Sequence, residues 1–247
     1  MPAAGIEPAT AKRALVTGSS SGIGAAVAER LLSEGWWVFG FDVAEATLEH
    51  ARFVPCRVDL TDNERVDEAL APLHAPLLGT APLQAWVHAA GVMRTAPLGQ
   101  LRQRAEDAEL MWRLHVEAAT RLADAVLPAM ARAGHGRVVL IGSRVWPGMP
   151  GRSQYAASKA AMVSLARSWA AEVVGAGVTV NTVSPAATDT PMLADPARAS
   201  TAPRLPPIGR LIRPGEVAAL VSFLLGAEAA AVTGQDIAVC GGATLSR

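Results

Sequence analysis

The only tyrosine of this 247-residue chain, Tyr155, stands four residues before Lys159, and Lys159 and Lys12 are the only lysines among its 22 basic side chains. On a helix, that spacing puts both side chains on one face. An ammonium there stabilises a phenolate and draws a tyrosine pKa towards working pH, which is what proton transfer to and from a substrate oxygen requires. Since this chain uses arginine for ordinary positive charge, a lysine at this place serves a purpose arginine does not. Ser143 completes the candidate set. It follows an apolar segment, 137–142, and its hydroxyl can polarise a carbonyl or hold an alcohol oxygen. The plainer alternative is a helix with a buried Tyr155 and an exposed Lys159.

A second constellation lies near the start, in Gly18-Ser19-Ser20-Ser21-Gly22-Ile23-Gly24. Glycines between a strand and a helix let the backbone approach a pyrophosphate, and the helix N-terminus attracts that anion. Asp42 comes 18 residues after Gly24 at the end of the next apolar run. A carboxylate there binds both ribose hydroxyls and repels a 2′-phosphate, so NAD is expected rather than NADP. An ordinary surface aspartate in a turn is the alternative. Asp59-Leu60 either places a carboxylate beside the adenine ring or caps the next helix.

Positioning these groups requires a particular architecture. Apolar runs at 14–18, 36–41, 53–58, 85–89, 137–142, 178–183 and 236–239 read as strands. Helical patterns at 25–33, from Thr61, at 105–133, 153–175 and 214–225 separate them. Thr61 with Glu64 suggests a capped start, and Pro128 is expected to bend or end the 105–133 helix. Such alternation predicts βαβ units and a single-domain α/β fold with a parallel sheet. Residues 1–12 are expected to form a flexible tail, and the long connection 186–212 a substrate lid.

Composition narrows the function classes. With 22 basic and 22 acidic side chains, nucleic acid and anionic membrane are not expected partners. No run of about 18 apolar residues suggests a membrane span, the first residues do not read as a secretory signal, and two cysteines fit a reducing cytosol. The expectation is a cytoplasmic protein with a small-molecule partner and no metal.

The chain resembles the short-chain dehydrogenase/reductases over nearly its whole length. The resemblance is carried by Thr17 to Gly24, Ala89-Ala90-Gly91, Ser143, Tyr155-Ala156-Ala157-Ser158-Lys159, and Asn181-Thr182-Val183-Ser184-Pro185. It implies a Rossmann-like doubly wound parallel sheet in 3-2-1-4-5-6-7 order and a homotetramer or homodimer. It also implies hydride transfer between a nicotinamide and a secondary alcohol or ketone. Tyr155 would be the acid/base, Lys159 would hold the ribose and tune Tyr155, and Ser143 would position the substrate oxygen. The cofactor would meet Gly18, Ser20, Ser21, Ile23, Gly24, Asp42, Asp59, Leu60, Ala89, Ala90, Gly91, Tyr155, Lys159, Pro185, Thr188 and Thr190.

Three positions depart from the family pattern. His88 stands before Ala89-Ala90-Gly91 where an asparagine is usual, Ala186 replaces a glycine after Pro185, and His115 takes the place of an active-site asparagine. His115 is a catalytic candidate, adding a titrating step near neutral pH to a proton relay. Its rival role is to fill space and hydrogen-bond locally.

For the substrate, the segments 89–94, 184–190 and 234–245 are similar to 2,3-dihydro-2,3-dihydroxybenzoate dehydrogenases. Arg94, Arg144 and Arg152 follow segments that should open onto the substrate cleft, with Trp146 nearby. Guanidiniums clamp a carboxylate and an indole gives a flat apolar wall, so a cyclic or anionic alcohol such as a dihydrodiol carboxylate is expected. Ordinary surface charge is the alternative for each arginine, and helix capping or subunit contact explains Arg210 and Arg213 equally well. The competing functions are 3-oxoacyl thioester reduction and a non-catalytic dinucleotide-binding sensor or scaffold.

Overall fold

The computed structural model describes residues 11–74, 82–195 and 204–245. Seven strands form one parallel sheet: β1 (Arg13–Thr17), β2 (Trp37–Asp42), β3 (Phe53–Arg57), β4 (Ala85–His88), β5 (Gly136–Ile141), β6 (Val178–Pro185) and β7 (Asp236–Val239). Their order is β3-β2-β1-β4-β5-β6-β7, as the sequence led us to expect. Helices α1 (Gly22–Ser33), α2 (Asn63–His74), α3 (Ala105–Trp112), α4 (Ala118–Ala133), α5 (Ser153–Val173), α6 (Pro191–Ala194) and α7 (Pro214–Leu225) connect them.

Strand periodicity divides the core in two. Leu15, Trp86, Val138 and Leu140 pack on one face with Val66 and Leu70 of α2, Leu122 and Val126 of α4, and Met162 of α5. Their immediate neighbours Val16, Val87, Val139 and Ile141 point the other way, against Val27 and Leu31 of α1 and Val217 and Val221 of α7. Successive side chains alternate between faces, so a strand covered by helices on both sides must be apolar throughout. The ligand-binding edge of such a sheet is at the carboxyl ends of its strands, beside the point where the order reverses between β1 and β4.

Several local expectations are corrected. The helix at 105–133 is not continuous: a π-helical turn at Arg113–Glu117 divides α3 from α4. Pro128 does not end α4, because both it and Asp124, whose carbonyl loses its helical partner, are exposed to solvent. Thr61 does not cap α2. The Asp62 carboxylate accepts from the Glu64 and Arg65 amides instead. Asp59 holds the Thr61 amide and hydroxyl, so its capping alternative falls as well.

The expected tail overlaps the sheet, where the Lys12 carbonyl accepts from Trp37 N–H; residues 1–10 lie outside the described residues. Within the expected lid, α6 and a bridge between Thr188 and Ile212 are present. Residues 196–203 lie outside the described part. Among the described residues no helix is long and apolar enough to cross a membrane.

Candidate active site

A cleft of about 1230 Å³ runs across the carboxyl edge of the sheet. Its first wall is the turn between β1 and α1. Gly18 has φ +70, and a Cβ there would lie 2.8 Å from the Ala90 amide nitrogen, so only glycine fits. A Cβ on Gly24 would lie 2.0 Å from the Gly18 carbonyl oxygen, which explains how α1 packs so closely on its strand. Ser21 makes no side-chain cap at the start of α1, leaving the first amides to a ligand. These features fit a dinucleotide pyrophosphate. Ser21, Ile23, Leu60, Ala89, Ala90, Gly91, Pro185, Thr188 and Thr190 line the same cleft.

Asp42 also lines it at the end of β2. Its carboxylate accepts 2.9 Å hydrogen bonds from the Ser20 and Ala44 amides, which fix it without neutralising it. Ser20 itself is buried and is not among the residues lining the cleft; its amide serves by holding Asp42. Arg57, paired in register with Asp42, donates to the Val43 carbonyl and faces Glu45 at 3.8 Å.

The second wall is built by β5 and α5. Ser143 follows β5, while Tyr155 and Lys159 sit in the first two turns of α5; all three are buried and line the cleft. Lys159 Nζ donates to the Ile141 carbonyl at 2.9 Å and lies 5.9 Å from the centre of the Tyr155 ring. Burial lowers its pKa to about 7. The plainer expectation of an exposed lysine is therefore wrong, and α5 presents the pair on its cleft face.

The two unusual histidines are both fully buried and close two chains of hydrogen bonds. Thr17 Oγ1 accepts from the Ala89 and Ala90 amides, so its own proton goes to His88 Nδ1 at 3.0 Å. His88 Nε2 then donates to the Leu114 carbonyl in the π turn. His115 Nε2 accepts from the Val92 amide at 3.1 Å, so Nδ1 donates to Ser158 Oγ at 2.9 Å, and Ser158 donates to the Tyr155 carbonyl. Burial, then the Lys159 charge, lowers the His88 pKa to about 3 and holds His115 well below the usual imidazole value. This setting opposes the titrating role expected of His115, because protonation would break the bond from Val92. The imidazole also touches the Tyr155 ring edge-on, with centroids 5.8 Å apart.

At the substrate end, Arg144 and Arg152 line the cleft as expected. Arg94 does not. It bonds Asp195 at 2.8 Å and faces Asp107 at 3.7 Å, which correct its assignment to the clamp. Trp146 is likewise corrected, since its indole N–H is turned away to Asp236 at 2.7 Å and it is absent from the cleft wall. The apolar wall is made instead by Met93, Val145, Met149 and Met192. No motif or period in the sequence marks these methionines. Arg210 and Arg213 hold Glu216 at the start of α7, the capping alternative. Among the described residues no group of three ligating side chains is placed to hold a metal.

A doubly wound parallel sheet with a glycine turn at its switch point and a buried Ser-Tyr-Lys set defines the class as a dinucleotide-dependent oxidoreductase. Comparison with known proteins gives the family. A family model described as enoyl-(acyl carrier protein) reductase matches residues 18–244, and the chain belongs to the short-chain dehydrogenase/reductases. It is 32% identical over 244 residues to a 3-oxoacyl-(acyl-carrier-protein) reductase of Thermotoga maritima, covering 94% of this chain and 97% of that one. It is 34% identical over 241 residues to the Escherichia coli protein of the same name, covering 94% and 96%. Among solved structures, a variant of actinorhodin polyketide ketoreductase with NADPH superposes with a TM-score of 0.85 at 29% identity, over 97% of this chain and 99% of that one. The likeness to dihydrodiol dehydrogenases finds no support in these names.

Proposed function

We propose that the protein is an NAD-dependent oxidoreductase that interconverts a secondary alcohol and a ketone on a small molecule. The observation that carries this reading is the burial of Ser143, Tyr155 and Lys159 together in the cleft that begins at the open start of α1. A nicotinamide, when bound, supplies the hydride acceptor or donor. Tyr155 takes the hydroxyl proton in oxidation and returns it to the carbonyl oxygen in reduction. Ser143 donates a hydrogen bond to that oxygen, where negative charge grows during proton removal. Lys159 favours the Tyr155 phenolate by its charge and donates to the cofactor ribose. The Ile141 carbonyl fixes its ammonium in place.

The Asp42 carboxylate supports NAD, because a 2′-phosphate would be forced against it. Kinetics with both cofactors test this: NAD should exceed NADP in kcat/KM by at least about tenfold, with the gap narrowing in Asp42→Asn. Equal use of NADP would overturn it. The named relatives favour a second reading, reduction of a 3-oxoacyl thioester, which preferential turnover of such a thioester with NADPH would establish. A non-catalytic sensor has less support, since binding a dinucleotide needs no buried proton-transfer set. The family resemblance supports a homotetramer or homodimer, and free Cys56 and Cys240 suit the cytoplasm.

A further inference from the structure

Among the described residues eight arginines form ion pairs with acids, whereas two half-buried guanidiniums in the cleft, those of Arg144 and Arg152, do not. Arg94, Arg121 and Arg210 each hold a carboxylate within 2.8 Å. Arg144 and Arg152 are half-buried, yet among the described residues neither forms an ion pair or a side-chain hydrogen bond. Asp107, which shares a small side pocket with Arg152, is already held by Arg104 at 3.1 Å and faced by Arg94 at 3.7 Å. Among the described residues the carboxylates lining the cleft are Asp42 and Asp59, at the ends of β2 and β3.

Both arginines flank the reacting centre. Arg144 directly follows Ser143, and Arg152 is the residue before α5, three positions ahead of Tyr155. Burial lowers the Arg152 pKa, the Tyr155 charge raises it, and the Arg144 charge lowers it, so the three groups feel one another. The wall around them is apolar, formed by Met93, Val145, Met149 and Met192. A half-desolvated guanidinium without a partner is costly, and a planar carboxylate satisfies it with two parallel hydrogen bonds.

We propose that Arg144 and Arg152 form a carboxylate-recognition subsite, and that the substrate is a compact hydroxy or oxo acid with its carboxylate a few bonds from the reacting carbon. The compactness follows because the arginines adjoin the two residues that hold the reacting oxygen, Ser143 and Tyr155. A phosphate at the far end of a long carrier arm would lie outside this part of the cleft. The proposal takes the position of the reacting oxygen from the oxidoreductase reading and rests on it to that extent.

The test is calorimetric titration of the enzyme–NADH complex, and of the free enzyme, with cyclohexanecarboxylate, the isosteric cyclohexanecarboxamide and 4′-phosphopantetheine. The acid should bind at least about tenfold tighter than the amide, as expected for charge-assisted hydrogen bonds. Arg144→Gln and Arg152→Gln should each reduce that ratio and the double variant should abolish it. The doubly lysine-substituted protein should retain part of it, which separates lost charge from misfolding. Equal binding of acid and amide, binding of neither, or a preference that survives in the double glutamine variant would overturn the subsite. Tighter binding of phosphopantetheine, lost in the same variant, would assign the arginines to a carrier phosphate and overturn the carboxylate.

Turnover of 3-oxocyclohexanecarboxylate and its methyl ester is measured in parallel. A carboxylate preference in binding without turnover of any ketone by either cofactor would sink the oxidoreductase reading and leave the subsite. Equal turnover of acid and ester would keep the oxidoreductase and overturn the subsite.

Discussion

His115 shows how one side chain can be chemically suggestive and physically constrained. Its ring lies against Tyr155, but Nε2 already accepts from Val92 and Nδ1 donates to Ser158. His115→Asn is therefore expected to leave the apparent pKa values of the pH–rate profile in place; displacement of a limb near neutral pH would restore the titrating role. Truncation to alanine is a different perturbation, because it removes the acceptor of the part-buried Val92 amide and empties a fully buried site, costing about 1–3 kcal/mol, read as a lower chemical-denaturation midpoint. The gathering of Tyr155, Lys159 and Ser143 in one cleft was legible, because helical spacing and a place after a strand fix where such residues meet. Arg94 and Trp146 were not. Their orientations are decided by Asp195 and Asp236, which lie 101 and 90 residues away in the chain.

At the scale of elements, strand and helix alternation was legible because a sheet covered on both faces needs apolar strands and the helices between them carry one apolar stripe. The π turn at Arg113–Glu117 was hidden, because its extra residue is secured by tertiary bonds from His88 and to Ser158, which local pattern does not contain. Arg94 has a role at this scale. It joins Asp195, directly after α6, to Asp107 on α3, so one guanidinium ties the substrate-side helix to the body of the protein. Arg94→Ala is expected to raise substrate KM by about threefold to tenfold through loss of that tie. An unchanged KM would show that α6 is held without it.

Across the whole molecule, the buried bases give stability a definite pH dependence. The His88 pKa falls from 6.5 to about 3 in the folded chain, so the unfolded state binds more protons between those values. Stability from this group is present above pH 6.5 and is lost as pH falls towards 3. Lys159 acts in the same sense at higher pH. With its pKa lowered from 10.5 to about 7, stability rises as pH climbs between those values. Melting temperature of the cofactor-free protein should therefore increase from acid to mildly alkaline pH. His88→Asn should flatten the acidic limb, and an unchanged limb would place the acid sensitivity elsewhere.

The proposed proton transfer by Tyr155 draws on all three scales, because in that reading the glycine turn, the two-faced sheet and the buried lysine serve one oxygen and one proton. The most direct measurement is nicotinamide oxidation or reduction, followed optically, for wild type and Tyr155→Phe over a panel of ketones and alcohols that includes carboxylic acids. The wild type should turn over at least one member with NAD or NADH, and Tyr155→Phe should lose about a hundredfold or more in kcat while still binding the dinucleotide. A phenylalanine variant that keeps wild-type kcat would contradict Tyr155 as the acid/base and with it the proposed reaction.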